Sequence, residues 1–380
     1  MHTLSQYLQT LENPEGLTRR LKGFELLRER DGKPIFHVGN RAIVFKIRYR
    51  DQLLRLRCYT QPPRDDAKRI YGERLLEEEL YLYKGDEGEW VDVILEPWIE
   101  GENLEQEVRL ACKEGDRRKL WHLSEAFEEL ASRLLAEPWA HGDLKPENMI
   151  VDQMGRLHLI DFDACFLPSE REGVCFEMGT PAYRHPTRGA ARDRWLDHYP
   201  AALIAVQLRA LALDPTLTGE AQMDEGTLFQ PEEPFRAVKG EDGPGCRMYR
   251  RILELFANRG DAVHYRLCKL LTYPTHRLDG VEELLRFHDP LRPLIEAESY
   301  FDKGLAGFRN GEYTSPLLYD EAFDFSEGWA LVRLGERRHY IDRTLRVVYT
   351  LPAGCCAAKS LRDGKARYRL EDTWFEVAVK

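Results

Sequence analysis

The sequence predicts an α+β protein in which a strand-rich region comes first, a helical region follows, and a small β-rich repeat region comes last. Three patterns indicate this order. β-branched and aromatic residues nearly alternate between residues 34 and 60, as they do in paired strands. Apolar residues recur at helical spacing from about residue 192 to 290. A motif that begins at Phe301 returns at Phe325, which is typical of a short structural repeat.

The bulk composition narrows the class of protein. The chain has 380 residues, of which 43% are apolar, and this is enough for packed cores in two or three domains. The formal net charge of −10 argues against nucleic acid or an anionic membrane surface as the main partner. It does not exclude a local basic groove for phosphates.

The cysteines and the N-terminal segment indicate the compartment. Eight cysteines are spread along the chain without C-x-x-C spacing, and the adjacent pair Cys355 and Cys356 does not resemble a zinc site. This pattern favours buried, reduced thiols. Residues 1–16 lack the apolar core of a signal peptide, and no stretch approaches the ~20 apolar residues that cross a membrane. We therefore expect a cytoplasmic protein.

The first region is predicted as helix, hairpin, helix and strand. Residues 4–30 have helical spacing with a Pro–Glu–Gly break, which predicts a helical N-terminal extension. The alternation over residues 34–60 predicts an antiparallel hairpin with Arg-Asp-Gln at its turn. Residues 65–83 return to helical spacing, and residues 89–101 have the pattern of a short strand that ends at Pro97.

The later elements follow from similar signals. Residues 124–137 predict a helix with Ser124 at its N-cap. The helical region that extends to about residue 290 is interrupted by a polar insertion at residues 214–245. The repeat motif has Phe, two residues, Gly, one residue and Ala, and a looser third copy lies at residues 354–369.

Two neighbouring stretches concentrate the chemistry of the chain. "HGDLKPENMIV" carries Asp143, Lys145 and Asn148, and "LHLIDFDACF" carries Asp161, each next to an apolar strand. Phosphoryl transfer needs a carboxylate to meet the attacking hydroxyl, a cation near the moving phosphate, and oxygen ligands for magnesium. These four side chains supply those groups, so the pattern indicates phosphoryl transfer.

The same stretches resemble known motifs. "HGDLKPENMIV" resembles the catalytic loop of the protein-kinase-like superfamily, and "LIDFDACF" resembles its metal-binding turn. The resemblance implies a bilobal fold with a β-rich N-lobe and a helical C-lobe, and ATP and Mg²⁺ as cofactors. By position, it implies that Asp143 is the catalytic base, with Lys145 beside it. It further implies that Asn148 is a magnesium ligand and that Asp161 bridges metal and phosphates, while His141 packs within the loop.

The resemblance extends to a nucleotide site. In "HVGNRAIVFKI", Gly39 and Ala42 fall where two glycines of the glycine-rich loop would, and Val44 falls where the valine over the adenine would. In "VILEPWIEGENL", Glu96 follows the gatekeeper position. Trp98 lies in the segment that, in this family, offers backbone hydrogen bonds to adenine.

Several positions depart from the family pattern. In "LRLRCY", Arg57 stands where the family has its phosphate-gripping lysine, and the candidates for its partner glutamate are Glu73 and Glu77. Asp163 replaces a glycine of the metal-binding turn, and Gly142 replaces the arginine after the loop histidine. Both replacements are also seen in small-molecule kinases that resemble aminoglycoside phosphotransferases.

A later stretch resembles the end of an activation segment. The stretch is "EMGTPAYRHP", in which four positions match the family: Gly179, Thr180, Tyr183 and Pro186. The usual glutamate is replaced by Thr187. Asp197 matches the buried aspartate of the long central helix, which the resemblance implies braces the catalytic loop.

Three functions stay open on this sequence. The first is an ATP-dependent kinase that acts on protein Ser/Thr, favoured by the intact base and metal residues and by "GTPAYRHP". The second is a pseudokinase that binds partners, favoured by Arg57 and by the poor glycine-rich loop. The third is a small-molecule kinase, favoured by Gly142 and Asp163.

The tail resembles a second family. "YDEAFDFSEGWALVRLGERRHYIDRTLRVV" resembles a WG repeat of the type found as arrays in bacterial proteins. We therefore predict an N-lobe with a helical extension at residues 1–100, a C-lobe at residues 101–292 and a repeat domain at residues 293–380. The repeats are expected either to pack on the kinase-like lobe or to dock a protein substrate or partner. No nucleic-acid or membrane partner is expected.

Overall fold

The computed structural model describes most of the chain. The residues outside its description are 40, 64–65, 86, 169–172, 175–177, 221–225, 288–293, 295–296, 312 and 380, and for residues 173, 174 and 220 it gives the backbone alone. The first of two compact units comprises Met1–Gly101 and Asp161–Cys165, and the rest of the described chain forms the second. None of the described helices is long and apolar enough to cross a membrane.

The first unit is built on one six-stranded antiparallel sheet. Its elements are α1 (Leu4–Glu12), β1 (Glu25–Leu26), β2 (Phe36–Val38), β3 (Ala42–Tyr49), β4 (Gln52–Tyr59), α2 (Ala67–Tyr71), β5 (Leu75–Lys84) and β6 (Glu87–Pro97). The strand order is β1-β3-β4-β6-β5, and β2 also pairs with β3. The predicted hairpin is confirmed as β3–β4, and Arg50 and Asp51, with φ of 49° and 61°, form its two-residue turn.

The helix predicted for residues 65–83 forms only over Ala67–Tyr71, and the rest of the prediction is wrong. The short helix α2 ends at Tyr71, and Gly72, with φ of 56°, is its C-cap. A short turn then leads into β5. The register of β5 shifts between Leu76 and Leu80, so extra residues bulge out of the strand. The bulge disrupts the period of two by which a strand is recognised, and the apolar spacing therefore resembled a helix.

The second half of the predicted N-terminal helix is also wrong. Helix α1 ends at Glu12, and residues 17–21 run beside β5. The fully buried carboxylate of Glu79 accepts the backbone N–H groups of Arg20 and Leu21 at 2.8 and 2.7 Å. These bonds replace the helical hydrogen bonds that the periodicity predicted, because a buried carboxylate needs donors.

The second unit begins with a helical part. Its elements are β7 (Gly101–Asn103), α3 (Leu104–Glu114), α4 (Arg117–Ala136), β8 (Met149–Asp152), β9 (Leu157–Leu159), β10 (Gly173–Val174), β11 (Ala191–Arg192), α5 (His198–Leu213), α6 (Leu217–Glu220), α7 (Glu233–Val238), α8 (Pro244–Arg259), α9 (Ala262–Leu270) and α10 (Val281–Arg286). Helix α5 is buried on every side from His198 to Ala212, so it is the centre of this core.

The predicted start of α4 at Ser124 is wrong. The helix begins at Arg117, and the side chain of Asp116 caps it by accepting the N–H of Lys119 at 2.9 Å. Ser124 lies inside the helix, where it is buried and donates to Glu128 at 2.9 Å. Gly115 ends α3 and Asp116 comes next, so α4 begins almost directly after α3.

The second unit ends in three antiparallel sheets. Their strands are β12 (Glu298–Asp302), β13 (Leu305–Arg309), β14 (Glu321–Ala322), β15 (Trp329–Leu334), β16 (Arg337–Asp342), β17 (Val347–Thr350), β18 (Cys355–Ala358), β19 (Lys365–Leu370) and β20 (Thr373–Ala378). The sheets have the orders β12-β13, β14-β15-β16-β17 and β18-β19-β20. The predicted order of strands, helices and strands is confirmed.

The three copies of the repeat motif share one local structure. In each copy a non-glycine residue and the motif glycine both have positive φ, namely Lys303 and Gly304, Glu327 and Gly328, and Asp363 and Gly364. This pair of conformations forms the tight turn that suits the twist of paired strands. The motif alanine two residues later is fully buried in all three copies: Ala306, Ala330 and Ala366. The third copy therefore has the same structure, with Leu361 in the position of the phenylalanine.

The repeats pack on the helices. Phe308 and Val332 belong to the same apolar core as α5 and α9. Asp320 accepts a hydrogen bond from the hydroxyl of Tyr265 at 3.1 Å and from Arg266 at 3.2 Å. The expectation of a β-rich appendage that packs on the helical lobe is thus met by both apolar and polar contacts.

Enlarging a motif alanine should destabilise the protein. We expect Ala330→Leu and Ala366→Leu each to lower the free energy of unfolding by about 1–3 kcal/mol, because the closed packing has no space for added carbons. Urea denaturation followed by circular dichroism measures this. The matched control is Ala353→Leu at an exposed position, expected to change stability by less than about 0.5 kcal/mol. An Ala366→Leu variant that behaves like the control would contradict the third repeat.

A charged cluster is buried among α4, α5 and α9. The ring of His264 places Nδ1 2.9 Å from Asp261 and Nε2 3.2 Å from Glu128, and Arg209 lies 3.2 Å from Glu128. Although burial by itself disfavours the charged ring, the two carboxylates raise the pKa of His264 to about 9.

This cluster should make stability depend on pH. Because the folded pKa of His264 lies above the ordinary value of 6.5, its stabilisation is complete below pH 6.5 and is lost as the pH rises through about 9. The part of the difference in the free energy of unfolding between wild type and His264→Gln that depends on pH has an upper limit of about 3 kcal/mol. Urea denaturation between about pH 6 and 10 should show this difference shrinking as the pH rises, and His122→Gln is the matched control for substitution of an exposed ring. A constant difference would refute the assignment.

Candidate active site

The second unit holds Asp143, Lys145 and Asn148 on one loop between α4 and β8. Leu144 and Met149, which are 1% and 0% exposed, anchor the loop in the core on either side of its polar residues. The apolar positions therefore fix the backbone, and the polar side chains between them are held in a small volume.

Asn148 and Lys145 both contact Asp143. Nδ2 of Asn148 donates to the carbonyl oxygen of Asp143 at 2.9 Å and to its Oδ2 at 3.2 Å. Oδ1 of Asp143 accepts the N–H of Thr180 at 2.7 Å. Nζ of Lys145 donates to Oγ1 of Thr180 at 2.9 Å and lies 3.5 Å from Oδ2 of Asp143. The structure thus brings the three predicted loop residues together and adds Thr180 to them.

Gly179 allows this approach of Thr180. Its φ is +67°, and a Cβ atom there would lie 2.8 Å from the carbonyl oxygen of Gly142 and 3.2 Å from Oδ1 of Asp143. A larger residue would push the segment away from the carboxylate. Gly179 matches the family by resemblance, and this close approach is the steric reason for a glycine at that position.

Asp197 braces the loop, as the resemblance implied. Its carboxylate is 1% exposed, and its two oxygens accept the N–H groups of His141 and Gly142 at 2.5 and 2.9 Å. Burial raises the pKa of Asp197 against the opposing effect of these donors and of His141. Nε2 of His141 lies 2.9 Å from the carbonyl oxygen of Ile160, the residue after β9.

The end of the activation-segment-like stretch is tied to the loop before α10. The hydroxyl of Thr187 donates to the carbonyl oxygen of Pro274 at 3.1 Å. Asp193, which is 1% exposed, lies 2.9 Å from His276 and 3.0 Å from Arg277. Although burial acts in the opposite direction, these two groups hold the pKa of Asp193 below its ordinary value. Asp193 is a charged anchor that the sequence analysis missed.

The first unit holds Asp161 beside Arg57. Nη2 of Arg57 lies 2.7 Å from Oδ1 of Asp161 and 2.6 Å from Oδ2 of Asp163. The other oxygen of Asp163 accepts the hydroxyls of Tyr59 at 2.9 Å and Tyr71 at 2.6 Å. Burial is the main factor that raises the pKa of both phenols, so these hydroxyls remain donors at neutral pH.

Neither predicted glutamate is the partner of Arg57. Glu77 pairs with Lys68 at 2.8 Å, and Glu73 is exposed in the short turn after α2. Both were predicted to lie on a helix that does not form, so no helix delivers either carboxylate. Arg57 is paired instead with two aspartates more than a hundred residues away, a distance that no local pattern reveals.

The residues predicted for the glycine-rich loop lie around the turn between β2 and β3. The N–H of Gly39 donates to the carbonyl oxygen of Ala42 at 2.8 Å, and residue 40 lies outside the described residues. Ala42 is buried, and half-buried Val44 is paired with Arg57 across the sheet. Their roles toward a nucleotide stay predictions.

Glu96 and Trp98 lie at the end of β6. The buried carboxylate of Glu96 accepts hydrogen bonds from Arg55 and Arg74, both at 2.8 Å. The N–H of Trp98 donates to the carbonyl oxygen of Leu53 at 3.0 Å. By resemblance, Trp98 lies in the segment that offers backbone hydrogen bonds to adenine. Because its N–H is already bonded to Leu53, a nucleotide would have to use other backbone groups there or displace this hydrogen bond.

Asn148, in the second unit, and Asp161, in the first, each carry side-chain oxygens of the kind that magnesium prefers. Because Nδ2 of Asn148 faces Asp143, the amide oxygen of Asn148 is turned away from that carboxylate. The side chain of Asp161 is 43% exposed, and its φ of 66° is one that aspartate tolerates. Among the described residues, no three or more His, Cys, Asp and Glu side chains group as a metal site.

Comparison with known proteins gives two family matches. A family described as "Phosphotransferase enzyme family" matches residues 61–167, which include the loop and the metal-binding turn. A family described as "WG containing repeat" matches residues 309–337, which include the second copy of the repeat motif. The chain thus contains a kinase-like phosphotransferase domain.

Two curated kinases are similar over a short stretch. Maternal embryonic leucine zipper kinase of Danio rerio is 40% identical over 67 residues, which are 16% of this chain and 10% of that protein. CBL-interacting protein kinase 16 of Oryza sativa subsp. japonica is 41% identical over 66 residues, which are 15% of this chain and 14% of that protein. The chain therefore spans a small fraction of either relative. Together with the family matches, these relatives identify a protein-kinase-like domain followed by WG repeats.

Removing the charge of Asp197 should destabilise the loop. In Asp197→Asn one oxygen becomes an NH₂ group that faces a backbone N–H, so we expect a loss of about 1–3 kcal/mol in the free energy of unfolding. Urea denaturation measures it, with Asp31→Asn as the control, because Asp31 pairs with Lys33 at the surface. Equal effects of the two substitutions would show that Asp197 does not brace the loop.

Proposed function

We propose that this protein is an ATP- and Mg²⁺-dependent phosphotransferase that acts on Ser or Thr hydroxyls of a protein. The observation that carries the proposal is the set of contacts among Asp143, Lys145 and Thr180, at 2.7–3.5 Å. These contacts place a proton acceptor and a cation together on one loop, as phosphate transfer to an alcohol requires.

Each loop residue has a distinct task in the proposed reaction. Asp143 would accept the proton of the attacking hydroxyl, and its bonds to Thr180 and Asn148 hold the carboxylate in one orientation. Lys145 would offset the negative charge of the phosphate during transfer. The loop would thus supply both the acceptor and the stabilising cation.

The remaining residues would bind the nucleotide and its metal. Asn148 and Asp161 would hold Mg²⁺, which when bound offsets the charge of the phosphates. Arg57 would pair with phosphate oxygens through its planar guanidinium group. An arginine does not copy the compact ammonium group of the usual lysine, so the grip on the phosphates would differ in geometry.

A protein substrate is supported by the stretch after residue 178. Thr180 is bonded to both Asp143 and Lys145, and Asp193 anchors the end of the same stretch. This arrangement forms a fixed edge beside the loop, against which a peptide could lie.

The repeats would serve as the docking surface. Trp329 and Tyr340 pack into the repeat core, so docking would use other aromatic side chains. The exposed ones are Phe301, Phe323, Trp374 and Phe375.

Two alternatives rest on specific observations. A small-molecule kinase is favoured by the match to the phosphotransferase family and by Gly142 and Asp163. A pseudokinase is favoured by the pairing of Arg57 with Asp161, which engages the proposed metal ligand.

Phosphate transfer from γ-labelled ATP tests the proposal. We expect label in Ser/Thr peptides, and Asp143→Asn should lower the rate about 10²–10⁴-fold because the proton acceptor is lost. Binding of Mg·ADP, measured by calorimetry, should stay near the wild-type value in that variant. Asp152→Asn is the control, since this carboxylate lies on β8 and pairs with Arg156 and His158.

The outcomes separate the three functions. Label in small hydroxyl compounds but not in peptides would replace the proposal by the small-molecule kinase. Neither transfer nor Mg²⁺-dependent nucleotide binding would favour the pseudokinase. Transfer that survives Asp143→Asn unchanged would refute the catalytic assignment.

A further inference from the structure

Arg57 carries a charge that is buried in the first unit. Its side chain is 7% exposed, and a guanidinium group stays protonated at any ordinary pH. A buried charge that loses its counter-ion is strongly destabilising. Arg57 therefore needs a carboxylate partner before, during and after any binding event at Asp161.

The two carboxylates beside Arg57 differ in exposure and support. The side chain of Asp161 is 43% exposed, whereas that of Asp163 is 12% exposed. The hydroxyls of Tyr59 and Tyr71 both donate to Oδ1 of Asp163. Asp163 is therefore fixed, while Asp161 is the partner that another cation can reach.

A metal ion and Arg57 would both bind the carboxylate of Asp161. Nη2 of Arg57 already lies 2.6 Å from Oδ2 of Asp163 while it lies 2.7 Å from Oδ1 of Asp161. If Asp161 turned its charge toward a divalent cation, Arg57 would still be paired without any movement.

The supports of Asp163 lie close to Arg57 in the fold. Tyr59 follows Arg57 by two residues on β4, and Tyr71 is the last residue of α2, a helix of five residues. In the sequence-based prediction a glutamate on a longer helix held Arg57. The folded chain instead uses this helix end to hold Asp163.

We propose that Asp163, held by Tyr59 and Tyr71, is the permanent counter-ion of Arg57 and so prevents Arg57 from competing with Mg²⁺ for Asp161. The metal-binding role of Asp161 in this proposal rests on the proposed function. Asp163 is a positioning residue that acts through Arg57 rather than through contact with a substrate.

Magnesium titration in the presence of ADP tests the competition. The thermal shift of the full chain is followed as Mg²⁺ is added to wild type, Asp163→Asn, Arg57→Gln and the double variant. In Asp163→Asn, Asp161 is the carboxylate that still pairs with Arg57 among the described residues. The Mg²⁺ concentration that gives half of the maximal thermal shift should therefore rise on the order of tenfold. In the double variant the competing cation is gone, and half-maximal Mg²⁺ should return to that of Arg57→Gln.

Two further variants test whether the shift in the titration is specific to Asp163. Tyr71→Phe removes one support of Asp163 and should shift half-maximal Mg²⁺ in the same direction by less. Glu77→Gln is the matched acid-to-amide control, because Glu77 lies in the same unit and pairs with Lys68 at the surface. The proposal is overturned if Asp163→Asn leaves the titration unchanged. It is also overturned if the double variant stays as weak as Asp163→Asn, since a structural defect would not be rescued.

Urea denaturation without nucleotide or metal separates this proposal from the proposed function. If Asp163 is the permanent counter-ion, Asp163→Asn should lower the urea midpoint roughly twice as far as Asp161→Asn. Equal or reversed effects would overturn the assignment. If wild type binds no Mg·ADP, the proposed function and the competition both fail, and the denaturation result decides the counter-ion on its own.

Discussion

The buried carboxylate of Asp197 is the interaction on which the second unit depends. It stands directly before α5, the helix that is buried on every side, and both its oxygens accept backbone N–H groups of the loop that carries Asp143. A carboxylate in this position is tolerated because donors surround it, and the loop keeps its shape because the carboxylate cannot move. Asp197 therefore joins the core to the proposed catalytic loop. By fixing the backbone at His141 and Gly142, it helps to position Asp143.

The sequence predicts those parts of the site that are local. Asp143, Lys145 and Asn148 lie within six positions, so one motif shows that they belong together. The partners of Arg57 lie more than a hundred residues from it, and its tyrosine-supported aspartate leaves no periodic or spacing signal. For the same reason the strand β5 resembled a helix, because its bulge depends on pairing with β6. The repeat can be predicted from the sequence, because the same turn glycine recurs at Gly304, Gly328 and Gly364.

His264 and Arg57 are buried cations that each lie between two carboxylates, with different consequences. His264 lies between Asp261 and Glu128, whose side chains are 21% and 12% exposed, so the cluster is closed and stabilises the helices. Arg57 lies between one carboxylate of similar burial and one that is 43% exposed. The asymmetry matters, because an exposed partner can exchange its cation while the buried partner maintains neutrality. A cation between two carboxylates is therefore structural at His264 in the second unit, whereas at Arg57 in the first unit it is suited to ligand exchange.

The repeats cannot be treated as a detachable module. Ala306, Phe308 and Val332 share one apolar core with α9. Nε2 of His339 lies 2.8 Å from the carbonyl oxygen of Ala257 in α8. Removing the repeats would expose that core to water, so a loss of partner binding after truncation would not distinguish docking from unfolding. Docking is better decided by polar substitutions at the exposed aromatic positions, which leave the shared core intact. The packing of the repeats thus determines which experiment on their function can be interpreted.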